Sequence, residues 1–231
     1  MICRQFQFAR IQSLYNFLEA SPKRHAIFEE FKNKDCPLLS TLKSQSVTRW
    51  SCRWEAVKAV YGQLDRIVSC LLKLSENKDP KTYTDARALL KSILDFDFIF
   101  GLCVLRVILM NTSNLNTCVQ GKNMDIITLR KNAEMTIETL KRCRNDEDCK
   151  NLWELAINLG EKLKPLIKDY PNFEFKDPAT PRLRKVPLRL QALVGEEGSE
   201  YAVVREPIDQ YRIEVYFMSL DLIVTELVSI F

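Results

Sequence analysis

The sequence predicts a mainly α-helical fold, on three observations. Only six of the 231 residues are glycine, and the spans between turn signals are long. Leu and Ile are abundant, and apolar residues recur every three to four positions over most of the chain. A hydrophobic content of 46% with 28% charged residues suits a chain that buries a real core. The length fits one large domain or two small ones, and the pattern is read as a single helical region over 1–231.

In order, residues 6–20 ("FQFARIQSLYNFLEA") place Phe8, Ile11, Tyr15 and Leu18 at helical spacing. Ser21 then suits an N-cap and Pro22 the first helical position. Ile27, Phe28 and Phe31 would face the core. His25, beside Lys23 and Arg24, reads as an exposed helix residue rather than a catalytic base, since the chain has no second histidine. After the breaker "DCPLLS", a helix is expected from Ser51 to about Ser75. "ENKDPKTYT" reads as a turn, followed by one long helix from Asp85 to about Met110. "NTSNLNTCVQGKN" is expected to break or kink the pattern. The next helix carries Ile126, Leu129, Ala133, Ile137 and Leu140 on one stripe. Another starts at "DEDC", with Pro165 as a kink. Residues 171–207 read as an extended loop, rich in proline and basic residues (Lys176, Arg182, Arg184, Lys185 and Arg189). "YRIEVYFMSLDLIVTELVSIF" at 211–231 reads as a final helix buried on most sides.

Several function classes have little support. The net charge of +4 permits contact with nucleic acid without announcing it. None of the eight cysteines stands in a CxxC pair, which disfavours a zinc finger. Cys143 and Cys149 read as idle thiols rather than a redox pair, and reduced thiols point to an intracellular protein. The amino-terminal stretch lacks a signal-peptide core. The apolar run 98–110 is too short for a membrane span and holds Arg106, and the final helix holds Asp221 and Glu226. GxxxxGK(S/T), GxSxG and HExxH motifs are absent, and no metal or cofactor is expected.

The stretch "SVTRWSCRWEAVKAV" at 46–60 carries Trp50 and Trp54 four apart, and Arg49 and Arg53 four apart. Either the indoles pack a helix start and the guanidinium groups form a solvated stripe, or the turn faces nucleic acid. Trp54 is expected in the core. Arg53 is expected near Glu55 or Glu19 if it is structural.

Four separated pieces resemble hAT transposases, in order and with matching spacing. They come nearest to the domesticated copies called zinc finger MYM-type or THAP-type repressor-like proteins. The pieces are "LKSQSVTRWSCRWEAVKAV" at 42–60, "TSNLNTCVQGKNMDIITLRKNAEMTIETLKRCRND" at 112–146, "PRLRKVPLRLQA" at 181–192 and "YRIEVYFMSLDLIVTELVSIF" at 211–231. Departures are Met218 in place of a frequent proline, Ile230 in place of an arginine, and Lys185-Val186 interrupting the Pro-Arg element.

The resemblance implies the helical insertion domain of an interrupted RNase H-like fold, with the sheet largely absent. In that family two aspartates and one glutamate hold divalent metals. All three would lie outside this chain, so the resemblance implies no catalytic residue here. It also implies a nuclear location and a DNA partner. Trp50 would stack on an unpaired base, worth about 1–3 kcal/mol. Arg49 and Arg53 would contact phosphates, as would Arg182, Arg184, Lys185 and Arg189, whose alternative is a solvated linker. Three hypotheses follow in order: a catalytically incomplete, transposase-derived module that contacts DNA; a helical scaffold that binds protein through exposed apolar faces at 6–20 and 211–231; and, last, an active metal-dependent nuclease.

Overall fold

The fold is mainly α-helical, and no strand occurs among the described residues. The structure is a computed structural model that describes residues 2–31, 50–121, 125–178 and 206–231. Its helices are α1 (Ile2–Glu19), α2 (Pro22–Glu30), α3 (Trp50–Gly62), α4 (Leu64–Leu74), α5 (Pro80–Ile93), α6 (Phe96–Val119), α7 (Ile126–Arg142) and α8 (Asp146–Ile167). A short α9 (Pro207–Tyr211) then runs through a π-helical turn, Arg212–Phe217, into α10 (Met218–Ile230).

The centre is α6. Ten of its first fourteen residues are apolar and buried, from Phe96 to Leu109. A helix that is apolar nearly all round belongs inside protein, and α6 packs against α1, α3, α5, α7 and α8. The approach of α1 is close because position 101 is glycine. A Cβ there would sit 2.4 Å from Gln7 Nε2, which donates to the Asp97 carbonyl at 2.8 Å. By length and composition α6 is long and apolar enough to cross a membrane, being longer than the run 98–110 read from the sequence. However, 67% of its apolar window is buried inside the protein, as in a core helix.

Two expected long helices are each two helices. The one expected from Ser51 to Ser75 breaks at Gln63, just after Gly62, a poor helix former. Arg66 Nη1 holds the break by donating to Gln63 Oε1 at 2.7 Å. The one expected from Asp85 starts earlier and ends sooner. Asp79 caps α5, accepting from the Thr82 amide at 3.0 Å, and Pro80 takes the first position. Asp95 then caps α6 by accepting from the Asp97 amide. At this second break the segment after α8 pairs with the chain, Phe96 N to Lys176 O and Lys176 N to Leu94 O, both 2.9 Å.

The expected kink at 111–123 is absent up to Val119. Side chains in the polar run bond back to carbonyls one turn earlier: Asn111 to Val107 (3.0 Å), Thr112 to Ile108 (3.0 Å) and Thr117 to Ser113 (3.1 Å). Pro165 lies inside α8, two residues before its end, where it cannot donate to the carbonyl one turn earlier. At α2 the Ser21 position is as expected, but its side chain makes no capping bond. Phe28 is buried, with Ile27 and Phe31 packed beside it.

Part of the stretch expected to be a loop is docked. Phe173 and Phe175 are buried. Gly160 makes room for the second, since a Cβ there would lie 2.8 Å from Phe175 Cζ. Lys176 pairs with Asp95 at 3.3 Å. The α7 stripe is shifted: Ala133, Thr136 and Leu140 face inward, whereas Ile126 is 80% exposed.

The last helix is buried on one side only, contrary to expectation. Tyr211, Tyr216, Leu220 and Ile223 are inside, while Ile213, Met218, Val228 and Ile230 are exposed. The other apolar face expected to be open, on α1, is covered. Ile11, Leu14, Phe17 and Leu18 are buried, with α2, α3, α5 and α6 packed on the helix.

Candidate docking groove

Of the residues expected to meet nucleic acid, only Trp50 and Arg53 are among the described ones. Arg49, Arg182, Arg184, Lys185 and Arg189 lie outside the described residues, and Trp50 is placed only as the first residue of α3. Arg53 is half-buried. Its guanidinium lies 5.1 Å from the centre of the Phe8 ring, so it joins α3 to α1. Trp54 is half-buried and packs against the core.

His25 is half-buried, with Nδ1 3.1 Å from Glu19 Oε1. Among the described residues no group of three or more His, Cys, Asp or Glu side chains could hold a metal ion. Cys52, Cys70, Cys103, Cys118, Cys143 and Cys149 are free thiols. Burial pushes Cys70 and Cys103 up to about 12 and Cys149 up to about 11, so none is a poised nucleophile.

The structure instead presents an open apolar groove beside the π turn. It is lined by Ile213, Phe217, Met218, Leu222 and Thr225 of the last helix, with Arg144 and Asp221 at its edge, and encloses about 470 Å³. Its position follows from how the last helix is anchored. The Tyr211 ring packs edge-on against Phe96 (5.3 Å between centroids), Phe100 (5.3 Å) and Trp153 (5.4 Å). Its hydroxyl donates to Asp97. These rings fill the space between them, so they form core rather than a ligand cage. Five residues on, the Tyr216 hydroxyl donates to the Cys143 carbonyl at 2.6 Å. Burial raises the Tyr216 phenol well above the usual tyrosine value.

The π turn reconciles these two anchors. At about 100° per residue, an α-helix would put side chains five apart about 140° away from each other. Here the Met218 amide reaches back to the Ile213 carbonyl, five residues earlier, and residues five apart come nearly into line. Both tyrosines therefore face inward. The widened turn sends Ile213 and Glu214 outward, and Ile213 forms one wall of the groove.

Arg144 closes the edge. It donates to both carboxylate oxygens of Asp221, from Nε at 2.7 Å and Nη2 at 3.2 Å, while its plane covers Phe217 at 4.4 Å. The hydrogen bond to Asp221 holds the guanidinium above its usual value. Further exposed apolar side chains belong to the same two helices: Ile126, Ile127 and Met135 on α7, and Val228 and Ile230 on α10. Helices α7 and α10 pack together. Sequence reasoning expected an exposed apolar face at 211–231 but could not say which of its residues form the groove. The one available signal was the five-residue spacing of Tyr211 and Tyr216, which no uninterrupted α-helical stripe fits.

Compared with known proteins, the chain matches no family model and no solved structure.

Proposed function

We propose that the chain is a non-enzymatic helical module that docks a partner protein in the groove beside the π turn. One observation carries this reading. Met218, at 54% exposure, stands with Ile213, Phe217 and Leu222 in a formed apolar groove on a helix that is otherwise firmly anchored. Such a face costs solubility unless something covers it. From Ile213 to Thr225 the groove follows about 18 Å of helix, enough for about three turns of a helix laid alongside.

Descent from a hAT-like transposase insertion domain stays part of the proposal, on the strength of the four sequence pieces. So does a nuclear location. The DNA-contact reading keeps Arg49, Trp50, Arg53, Arg182, Arg184, Lys185 and Arg189 as its residues.

The test uses labelled amphipathic helical peptides of about 18 residues and fluorescence anisotropy with the full chain. Saturable binding abolished by Met218→Glu is expected. If no peptide binds in a Met218-dependent way, the docking reading falls. Salt-sensitive binding of hairpin DNA, lost on Trp50→Ala, would put DNA contact in its place.

A further inference from the structure

We propose that Tyr83 is a phosphorylation site and that Arg87 is the preformed partner of its phosphate. The site stands apart from the groove and does not depend on the docking reading. Tyr83 is the most exposed of the described tyrosines, at 39%. Tyr211 and Tyr216 are buried, and Tyr15, Tyr61 and Tyr170 are half-buried. The Tyr83 hydroxyl accepts from Arg87 Nη1 at 2.9 Å. Among the described residues no carboxylate pairs with Arg87, and this neutral phenol is its one hydrogen-bond acceptor. The guanidinium is nevertheless held in place. It lies 5.1 Å from the centre of the Tyr83 ring and 5.1 Å from that of the buried Phe173. A half-buried cation without an anion is thus aimed at the oxygen that would carry the phosphate.

The place in the fold suits the reaction. Tyr83 is the fourth residue of α5, and its amide makes the first rung of the helix, to the Asp79 carbonyl at 2.9 Å. Helix ends open at little cost, which lets a kinase reach the side chain. The amino-terminal turn of a helix also favours negative charge. Asp79, one turn earlier, is engaged by the Thr82 amide and hydroxyl, at 3.0 Å and 2.6 Å. In the reaction the γ-phosphoryl group of a nucleoside triphosphate passes to Tyr83 Oη. The O–H bond loses its proton, an O–P bond forms, and the nucleoside diphosphate leaves. The product carries about two negative charges, so a hydrogen bond between a cation and a neutral phenol becomes a charge-assisted pair. Because Arg87 also stacks on Phe173, the phosphate would tighten the hold of α5 on the segment that follows α8.

The experiment incubates the folded full chain with a broad-specificity tyrosine kinase, ATP and magnesium, and maps the label by mass spectrometry. Tyr83 is expected to be labelled about tenfold faster than any of the other described tyrosines, and Tyr83→Phe should remove that label. Phosphorus NMR then follows the titration of the phosphate, whose ordinary second pKa is about 6. A nearby cation favours the doubly charged form. The phosphate should therefore titrate at lower pH in the folded chain than in the same chain unfolded in urea. Arg87→Gln should abolish most of that difference while the helical circular dichroism is kept. Comparison of folded with unfolded wild type needs no variant, so the pairing is tested even if Arg87→Gln misfolds. Label at other tyrosines first, or none at Tyr83, overturns the site. Label at Tyr83 with equal titration in the folded and unfolded chains overturns the role of Arg87, as does a difference that survives Arg87→Gln.

Discussion

Tyr211 and Tyr216, five residues apart, face the same side of the last helix, one inside the Phe96–Phe100–Trp153 cluster and the other on the Cys143 carbonyl. Only the π turn between them permits this. Removing one residue from the turn leaves the tyrosines four apart, which is also an inward pair in an ordinary α-helix. Deletion of Val215 is therefore expected to preserve the helical content and to shift the thermal midpoint by only a few degrees. Deletion of Ser219 breaks the phase between Tyr216 and the buried Leu220 and Ile223. It should cost about 3 kcal/mol or more, the scale of losing a large buried side chain. Equal damage from the two deletions, in urea titrations, would contradict this account of the turn.

Two glycines make opposite demands on their neighbours. A Cβ on Gly160 would lie 2.8 Å and 3.0 Å from Phe175 ring atoms, which move only if the whole ring moves. Gly160→Ala is expected to push Phe175 out and open the pairing of Lys176 with Leu94 and Phe96, at a net cost of about 1–3 kcal/mol. Faster hydrogen exchange of the Phe96 and Lys176 amides would report it. A Cβ on Gly101 meets the amide end of Gln7, which is flexible. Gly101→Ala should lose the Gln7 bond to the Asp97 carbonyl but regain helix propensity of about 1 kcal/mol, giving the smaller shift.

The sequence carried the helices well and their surfaces poorly, for separable reasons. Periodicity placed α1, α2, α7 and α8, because each has one wet face. It ran α3 into α4 and α5 into α6, because both sides of each break are apolar. The stops there are a Gly62-Gln63 pair and an aspartate at 95, weak signals beside the flanking Leu, Ile and Phe. Asp79-Pro80 was a readable helix start that the turn assignment hid. The candidate site was less legible still. At 211–231 an apolar face was expected to be exposed, but α-helical periodicity could not separate exposed Met218 from buried Tyr216, because the π turn shifts the phase between them. The packing partner of Arg53 was out of reach of the sequence, because only the fold brings Phe8 from an earlier helix beneath it.

Buried thiols give the stability a direction in pH. In the folded chain burial holds Cys149 up to about 11, and Cys70 and Cys103 up to about 12, against an ordinary value of 9.0. Above pH 9 the unfolded chain gives up these protons while the folded chain keeps them. The unfolded state then binds fewer protons, so stability falls as pH rises. The thiol contribution is constant below about pH 9 and declines between about 9 and 12. Urea midpoints at pH 8 and pH 10 should differ in that sense, and Cys70→Ala should flatten the difference. Alkylation at pH 8 should reach the half-buried Cys52 and Cys118 well before Cys70, Cys103 and Cys149.

Arg66 is the buried cation on which the junction of α2 with α4 depends. Its Nε and Nη2 both donate to the Phe28 carbonyl, at 2.9 Å and 2.7 Å, in the last turn of α2 where helical partners run out. Nη1 holds Gln63 at the α3–α4 break, Nη2 pairs with Glu29 at 3.3 Å, and the guanidinium stacks on Phe28 at 3.9 Å. Arg66→Ala removes all of these at once and leaves a buried carbonyl unpaired, so a loss of about 2–4 kcal/mol is expected. Arg66→Lys keeps the charge but cannot donate as a planar fork to one carbonyl and to Gln63 together. It should recover less than half of the loss in chemical denaturation. Full recovery by lysine would show that charge alone matters there, and that the fork geometry does not set the angle between α3 and α4.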